Sequence, residues 1–177
     1  MNKLKFFDEM GLNVTWKLIY IGLIGQDEIP PILSYSEIVE YLYEILGTDN
    51  SNLKTDQIVS IVCEKDNAEK GCKILKGFCD VEKTDAMIQK QKWLLYMLNG
   101  ELDKIGVDYL QGILQLWMFW YPIRNTITSP ISFPEKDNDI QRYFSQTTYD
   151  ELILTSRKWI ETTRRSIINA ENETNIK

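Results

Sequence analysis

Any chemistry in this chain would have to come from carboxylates, lysines or thiols, because its 177 residues include no histidine. Histidine is the usual acid–base group near neutrality and a frequent metal ligand. Its absence removes Ser-His-Asp and Cys-His triads and every H-E-x-x-H zinc pattern. Cys63, Cys72 and Cys79 are odd in number and contain no C-x-x-C pair. They make a poor framework for zinc or for disulfides, and we read them as reduced, buried core thiols. Asp137-Asn138-Asp139 starts like a calcium loop but lacks the glycine and the distal glutamate. Neither a G-x-x-x-x-G-K-S/T loop nor a G-x-G-x-x-G turn is present. Arg157, Lys158, Arg164 and Arg165 could touch phosphate, but a net charge of −6 opposes nucleic-acid binding, which needs a basic field. They read as a solvated helix face. The sequence therefore predicts no catalytic residue, no metal and no cofactor.

Charge distribution is the one uneven feature. From Leu18 to Leu53 there is no lysine or arginine, while Asp27, Glu28, Glu37, Glu40, Glu44 and Asp49 all fall inside that window. It accounts for the whole net charge, and such asymmetry bears on partners. Glu37, Glu40 and Glu44 follow i, i+3, i+7 and lie within about 60° of one another on a helical wheel. Without a compensating base such a ridge costs a few tenths of a kcal/mol. Tyr43 points away from the core stripe beside it, which suits a recognition surface. The ridge has two readings, a solvated face that aids solubility and a surface for a basic partner, with fast, salt-sensitive association.

The elements that must position these residues are helical almost throughout. Trp16, Ile19, Tyr20 and Leu23 are spaced for one helix face, capped by Thr15 and ended by Gly25. Ser34 and Glu37 form a capping box for a helix from about Tyr35 to Leu46, with Ile38, Tyr41, Leu42 and Ile45 inside and Gly47 after its end. Ile58–Val62 could suit a strand, but Thr55-Asp56 offers a helix start and no strand partner is in sight. Asp66-Asn67-Ala68-Glu69 starts the next helix. Thr84-Asp85 opens another, which Asn99-Gly100 is expected to close. Val107 to Tyr121 is the most apolar stretch, with Val107, Leu110, Leu114, Trp117 and Tyr121 as its stripe. A helix apolar nearly all round is expected to be central and buried, and Pro122 to stop it. Pro122–Asn138 reads as a long loop, and a short helix follows at Ile140–Phe144. Thr148 and Glu151 open the last helix, with Leu152, Ser156, Trp159, Ile160, Thr163 and Ile167 inside.

These elements predict an all-α bundle of about seven helices in a single domain, residues 1–168, with a polar tail at 169–177. An apolar share of 44%, with five Trp, nine Tyr and six Phe, supplies a real core. No apolar run reaches the roughly 18–20 residues that span a bilayer. Asp8 and Glu9 fall where a signal peptide needs its apolar run, so the expected place is the cytoplasm, without membrane contact.

Asn13-Val14-Thr15-Trp16-Lys17 through Tyr20-Ile21-Gly22-Leu23, then Glu28-Ile29-Pro30 and Ile38-Val39-Glu40-Tyr41, resemble the start of a family of small bacterial proteins of unknown function. Lys92-Trp93-Leu94-Leu95 and Phe119-Trp120-Tyr121-Pro122 are similar to its later motifs. The resemblance covers about half the chain. More loosely, size, acidity and aromatic richness resemble the immunity proteins of bacterial toxin systems, which implies a non-catalytic inhibitor whose acidic face covers a basic toxin. Two alternatives stay open: a carboxylate- or divalent-metal-dependent enzyme in a helical bundle, and a structural homo-oligomer joined through Trp117–Tyr121 or the C-terminal helix.

Overall fold

The computed structural model describes residues 2–48, 52–124, 127, 129–131 and 143–175. The fold is all-α. Eight helices appear among the described residues: α1 (Lys5–Glu9), α2 (Trp16–Ile24), α3 (Tyr35–Ile45), α4 (Thr55–Val62), α5 (Ala68–Val81), α6 (Ala86–Lys104), α7 (Tyr109–Ile123) and α8 (Gln146–Asn175). The one β-type pairing there is an isolated bridge between Gln26 and Ile29. No described helix is long and apolar enough to cross a membrane. Asp49, Asp137-Asn138-Asp139, most of the Pro122–Asn138 loop and the start of the expected Ile140–Phe144 helix lie outside the described residues.

Helix starts follow local chemistry. Thr15 Oγ1 accepts from Leu18 N at the head of α2. The Ser34–Glu37 capping box forms on α3 in both directions. Asp108 caps α7 by accepting from Gln111 N. Gly25 and Gly47 take positive φ angles of 75° and 87° at the ends of α2 and α3, where a side chain would be strained. Two starts differ by a residue from the sequence reading. Lys54 precedes α4 with no side-chain cap, so Thr55 is already helical. On α5 the cap is Asn67, which accepts from Lys70 N.

Contacts divide the chain into two units, Met1–Leu94 with Ile167–Lys177, and Leu95–Ser166. The boundaries fall inside α6 and α8.

In the first unit α5 packs on α2 and on α4, and α3 packs on α4. Its centre is Trp93, fully buried, edge-on to Phe7 with ring centroids 4.9 Å apart. The indole N–H donates to Leu18 O at 2.8 Å, so the ring meets the requirement that a buried Trp find a partner. Leu18, Ile19, Ile38, Leu42, Ile58, Ile61 and Leu75 complete this core.

In the second unit Trp120 meets Trp159 edge-on at 5.0 Å. Tyr149 lies where a Cβ on Gly112 would sit and donates its hydroxyl to Gly106 O at 2.8 Å. Leu152, Ser156 and Ile160 are buried on α8, as their spacing requires.

Three helices depart from expectation. α6 runs through Asn99-Gly100 to Lys104, since one glycine costs a helix interior only about 1 kcal/mol. α8 begins at Gln146, with Ser145 Oγ accepting from Thr148 N, and continues to Asn175. The third departure is the face that α7 presents. Its buried residues are Gly112, Ile113, Leu116, Trp120 and Ile123. Of the expected stripe, Leu110, Leu114 and Tyr121 are exposed on the helix, and Val107 just before it is exposed as well. Pro122 sits inside the last turn rather than ending the helix before it.

Candidate functional site

α3 turns Ile38, Val39, Tyr41 and Leu42 inward, which leaves Glu40, Tyr43 and Glu44 exposed. The nearby tyrosines divide. Tyr35 OH donates to Ile61 O and Glu64 O, both at 3.2 Å. Tyr41 OH donates to Asp8 Oδ1 at 3.2 Å, and burial pushes its phenol well above the ordinary value. Tyr43 alone of the three stands outward, about half exposed.

The ridge is not without bases. The N-terminal segment lies along α3, with Asn2 Nδ2 donating to Glu37 O at 2.7 Å. Lys3 Nζ pairs with Glu37 at 2.7 Å and donates to Ile32 O. Lys5 Nζ pairs with Glu44 at 2.8 Å. A count over Leu18–Leu53 misses both lysines because they precede the window and reach it only through folding. An acidic surplus remains. The Lys5 ammonium is held above its ordinary pKa by its bond to Glu44 and by the further fields of Glu40 and Glu9, and neither Glu9 nor Glu40 pairs with a base among the described residues. Asp27, at a φ of 52°, is engaged by Lys90 of α6. Glu28 is half-buried in the same turn.

Lys3 and the bonds from Ser34 hold the Glu37 carboxyl below its ordinary 4.5. A depressed folded value means that the stabilisation is present above pH 4.5 and is lost as pH falls through the folded value. Glu37→Gln is therefore expected to cost about 0.5–1 kcal/mol at pH 7, with the difference from wild type closing in acid. Urea unfolding across a pH series measures both.

A second feature escaped sequence reading. A cleft of about 360 Å³ in the first unit is lined among others by Asn13, Thr15, Glu82, Asp85, Gln89 and Glu171. Thr15 and Gln89, two of the four buried polar residues among the described ones, line it, and the third, Lys92, is bonded to the lining residues Asn13 and Glu171. Glu82 accepts from Trp16 N at 3.1 Å and Lys17 N at 2.8 Å, while Thr15 takes Leu18 N. The N-terminus of α2, a natural anion site, is thus filled by the chain's own carboxylate. Thr15 Oγ1 donates to Gln89 Oε1 at 3.0 Å. Lys92, fully buried, donates to Asn13 O and Glu171 Oε1, and Glu171 Oε2 accepts from Asn13 N. Burial lowers the Lys92 pKa, with Glu171 and Glu82 opposing. Lys92 lies in the Lys92-Trp93 motif, but nothing local marks a lysine as buried.

Among the described residues no group of three Cys, Asp or Glu could hold a metal ion. Cys79 is buried and Cys72 half-buried, and burial raises the pKa of both thiols. Cys63 is exposed, contrary to the core reading, because it follows the last residue of α4 on the solvent side.

Residues 4–164 match the model of a family described as uncharacterized protein conserved in bacteria. The match agrees with the resemblance carried by Thr15-Trp16, Lys92-Trp93 and Phe119-Trp120. No curated protein and no solved structure matches the chain.

Proposed function

The chain belongs to that bacterial family, DUF2247, and from this premise we propose that it is a non-catalytic, cytoplasmic protein-binding protein, an inhibitor of the immunity or antitoxin kind. Its α1–α3 patch meets a basic partner. The observation that supports this reading is the surplus of acid around Lys5: Glu44 pairs with its ammonium at 2.8 Å, the fields of Glu40 and Glu9 reach the same charge, and Tyr43 is exposed beside them. A basic partner complements that acidic surplus, and the tyrosine adds apolar contact at little entropic cost. Glu40, Glu44 and Tyr43 are the contact residues. Glu37 positions the N-terminal segment through Lys3. Asp27 and Glu28 act at the margin, and Asp49 completes the acidic set in sequence.

Affinity capture from lysate of the source organism, at low and high salt, tests this. A stoichiometric basic partner is expected at low salt and is released at high salt. The Glu40→Lys/Glu44→Lys variant is expected to lose at least about tenfold in affinity while its circular dichroism stays unchanged. Unchanged binding by the variant would reduce the patch to a solvated face.

A further inference from the structure

We infer that the cleft of the first unit binds a small uncharged molecule that carries a hydrogen-bond acceptor beside a donor on one edge, the chemistry of a carboxamide or an aminopurine. The group that calls for it is Gln89. Its side chain is 2% exposed and lines the cleft. Among the described residues that side chain makes one hydrogen bond, at Oε1 from Thr15 Oγ1, 3.0 Å away. Nε2 keeps its two N–H donors without a partner there. It is not one of the unpartnered atoms closed off from solvent, so it opens on the cleft. A buried amide donor without an acceptor is costly, and a ligand carbonyl or ring nitrogen supplies one.

The other polar groups of the wall are already engaged. Glu82 accepts from Trp16 N, Lys17 N and Thr84 Oγ1. Glu171 holds Lys92 and accepts from Asn13 N. Asp85 Oδ1 accepts from Met87 N, and Asn52 Nδ2 donates to Asn13 Oδ1. The N-terminus of α2 is therefore closed to an anion, and Glu82 and Glu171 are closed to a cation. Lys17 donates to Thr84 O and Lys83 lies on the wall, so with Lys92 three ammonium groups balance the three carboxylates. No net charge is left to draw an ion.

The amide fixes the edge of the ligand. After taking the Thr15 hydrogen, Oε1 keeps a second lone pair beside the Nε2 donors. A glutamine amide in this state pairs in two places with a partner that offers an acceptor next to an N–H, as it does with the N7 and N6 edge of adenine. Val14 and Ile88 add apolar wall. A volume of about 360 Å³ is at the small end of the roughly 300–1,000 Å³ of ligand pockets, which suits a compact molecule. The cleft shares no residue with the patch of Glu40, Tyr43 and Glu44, so neither reading depends on the other.

Heteronuclear NMR of the full chain reads the site directly. Nicotinamide and adenosine are titrated separately to about 5 mM, several times a weak dissociation constant of about 1 mM. The Gln89 side-chain amide resonances, assigned through the backbone, are expected to shift and saturate with at least one of them. A shift with nicotinamide alone assigns a carboxamide, with adenosine alone an aminopurine, and with both the shared edge. Gln89→Glu keeps the acceptor for Thr15 and removes the donor. Its affinity should fall at least about tenfold, while Gln111→Glu, on the exposed surface of α7, leaves affinity unchanged. Gln89 amide resonances that stay in place with both compounds would overturn the inference, and that measurement needs no variant to fold. So would an affinity that is the same in Gln89→Glu.

Discussion

Glu171→Ala is expected to lower unfolding stability by about 3–5 kcal/mol. Lys92 is fully buried, and among the described residues Glu171 Oε1 is its one ion-pair partner. Removing the carboxylate leaves the Asn13 carbonyl as the ammonium's one hydrogen-bond partner among the described residues, and an unpaired buried charge costs far more than the pair is worth. Lys92→Met in the Glu171→Ala background should recover most of the loss, because it removes the stranded charge. Denaturant unfolding of both variants measures this coupling. The pH dependence has a definite sign. Burial holds the folded Lys92 pKa below 10.5, so the unfolded chain binds the proton more tightly. The penalty is full below the folded value and disappears above the unfolded one. The cost of Glu171→Ala should therefore shrink as pH rises into the alkaline range. A loss under about 1 kcal/mol, the size of an exposed pair, would show that the ammonium reaches water.

Gly22→Ala is expected to cost about 3 kcal/mol, at the upper end for overpacking. A Cβ there would overlap the Trp93 ring, 2.8 Å from Cε2, and come 2.9 Å from Leu33 Cδ1. Neither neighbour can give way easily. Trp93 is tied to Leu18 O and wedged against Phe7. Leu33 is pinned by its own N–H, which donates to Gly22 O at 2.8 Å, next to the same bond from Ile32 N. Helix propensity favours alanine by about 1 kcal/mol, so packing decides the sign. Gly100→Ala is the control. It lies inside α6 with nothing near its Cβ position and should stabilise by about 0.5–1 kcal/mol. Thermal unfolding of the pair distinguishes overpacking from a general intolerance of alanine.

Much of the helical outline is local and was legible. Thr15, and Ser34 with Glu37, satisfy amides within three residues of themselves, and Gly25 and Gly47 relieve the backbone where it turns left-handed. The α8 stripe was legible because a polar face lies opposite it, which gives the periodicity a sign. α1 was not, being five residues long with no side-chain cap.

The rest depended on which distant segment arrives where. α7 is apolar nearly all round, so periodicity had little polar face to orient it. The packing of Trp120 against Trp159 put Ile113 and Leu116 inside and left Leu114 and Met118 in solvent. The acidic ridge looked uncompensated because Lys3 and Lys5 lie more than thirty residues before their partners. Lys92 looked like any helix-surface lysine until Glu171, 79 residues on, supplied its counter-charge. The sequence by itself determined the starts of α2 and α3 and the turns that end them, because those hydrogen bonds close within one turn of the chain. Tertiary structure alone decided which faces are buried and which charges are paired, because desolvation and Coulomb energy depend on distance in space and not on distance along the sequence.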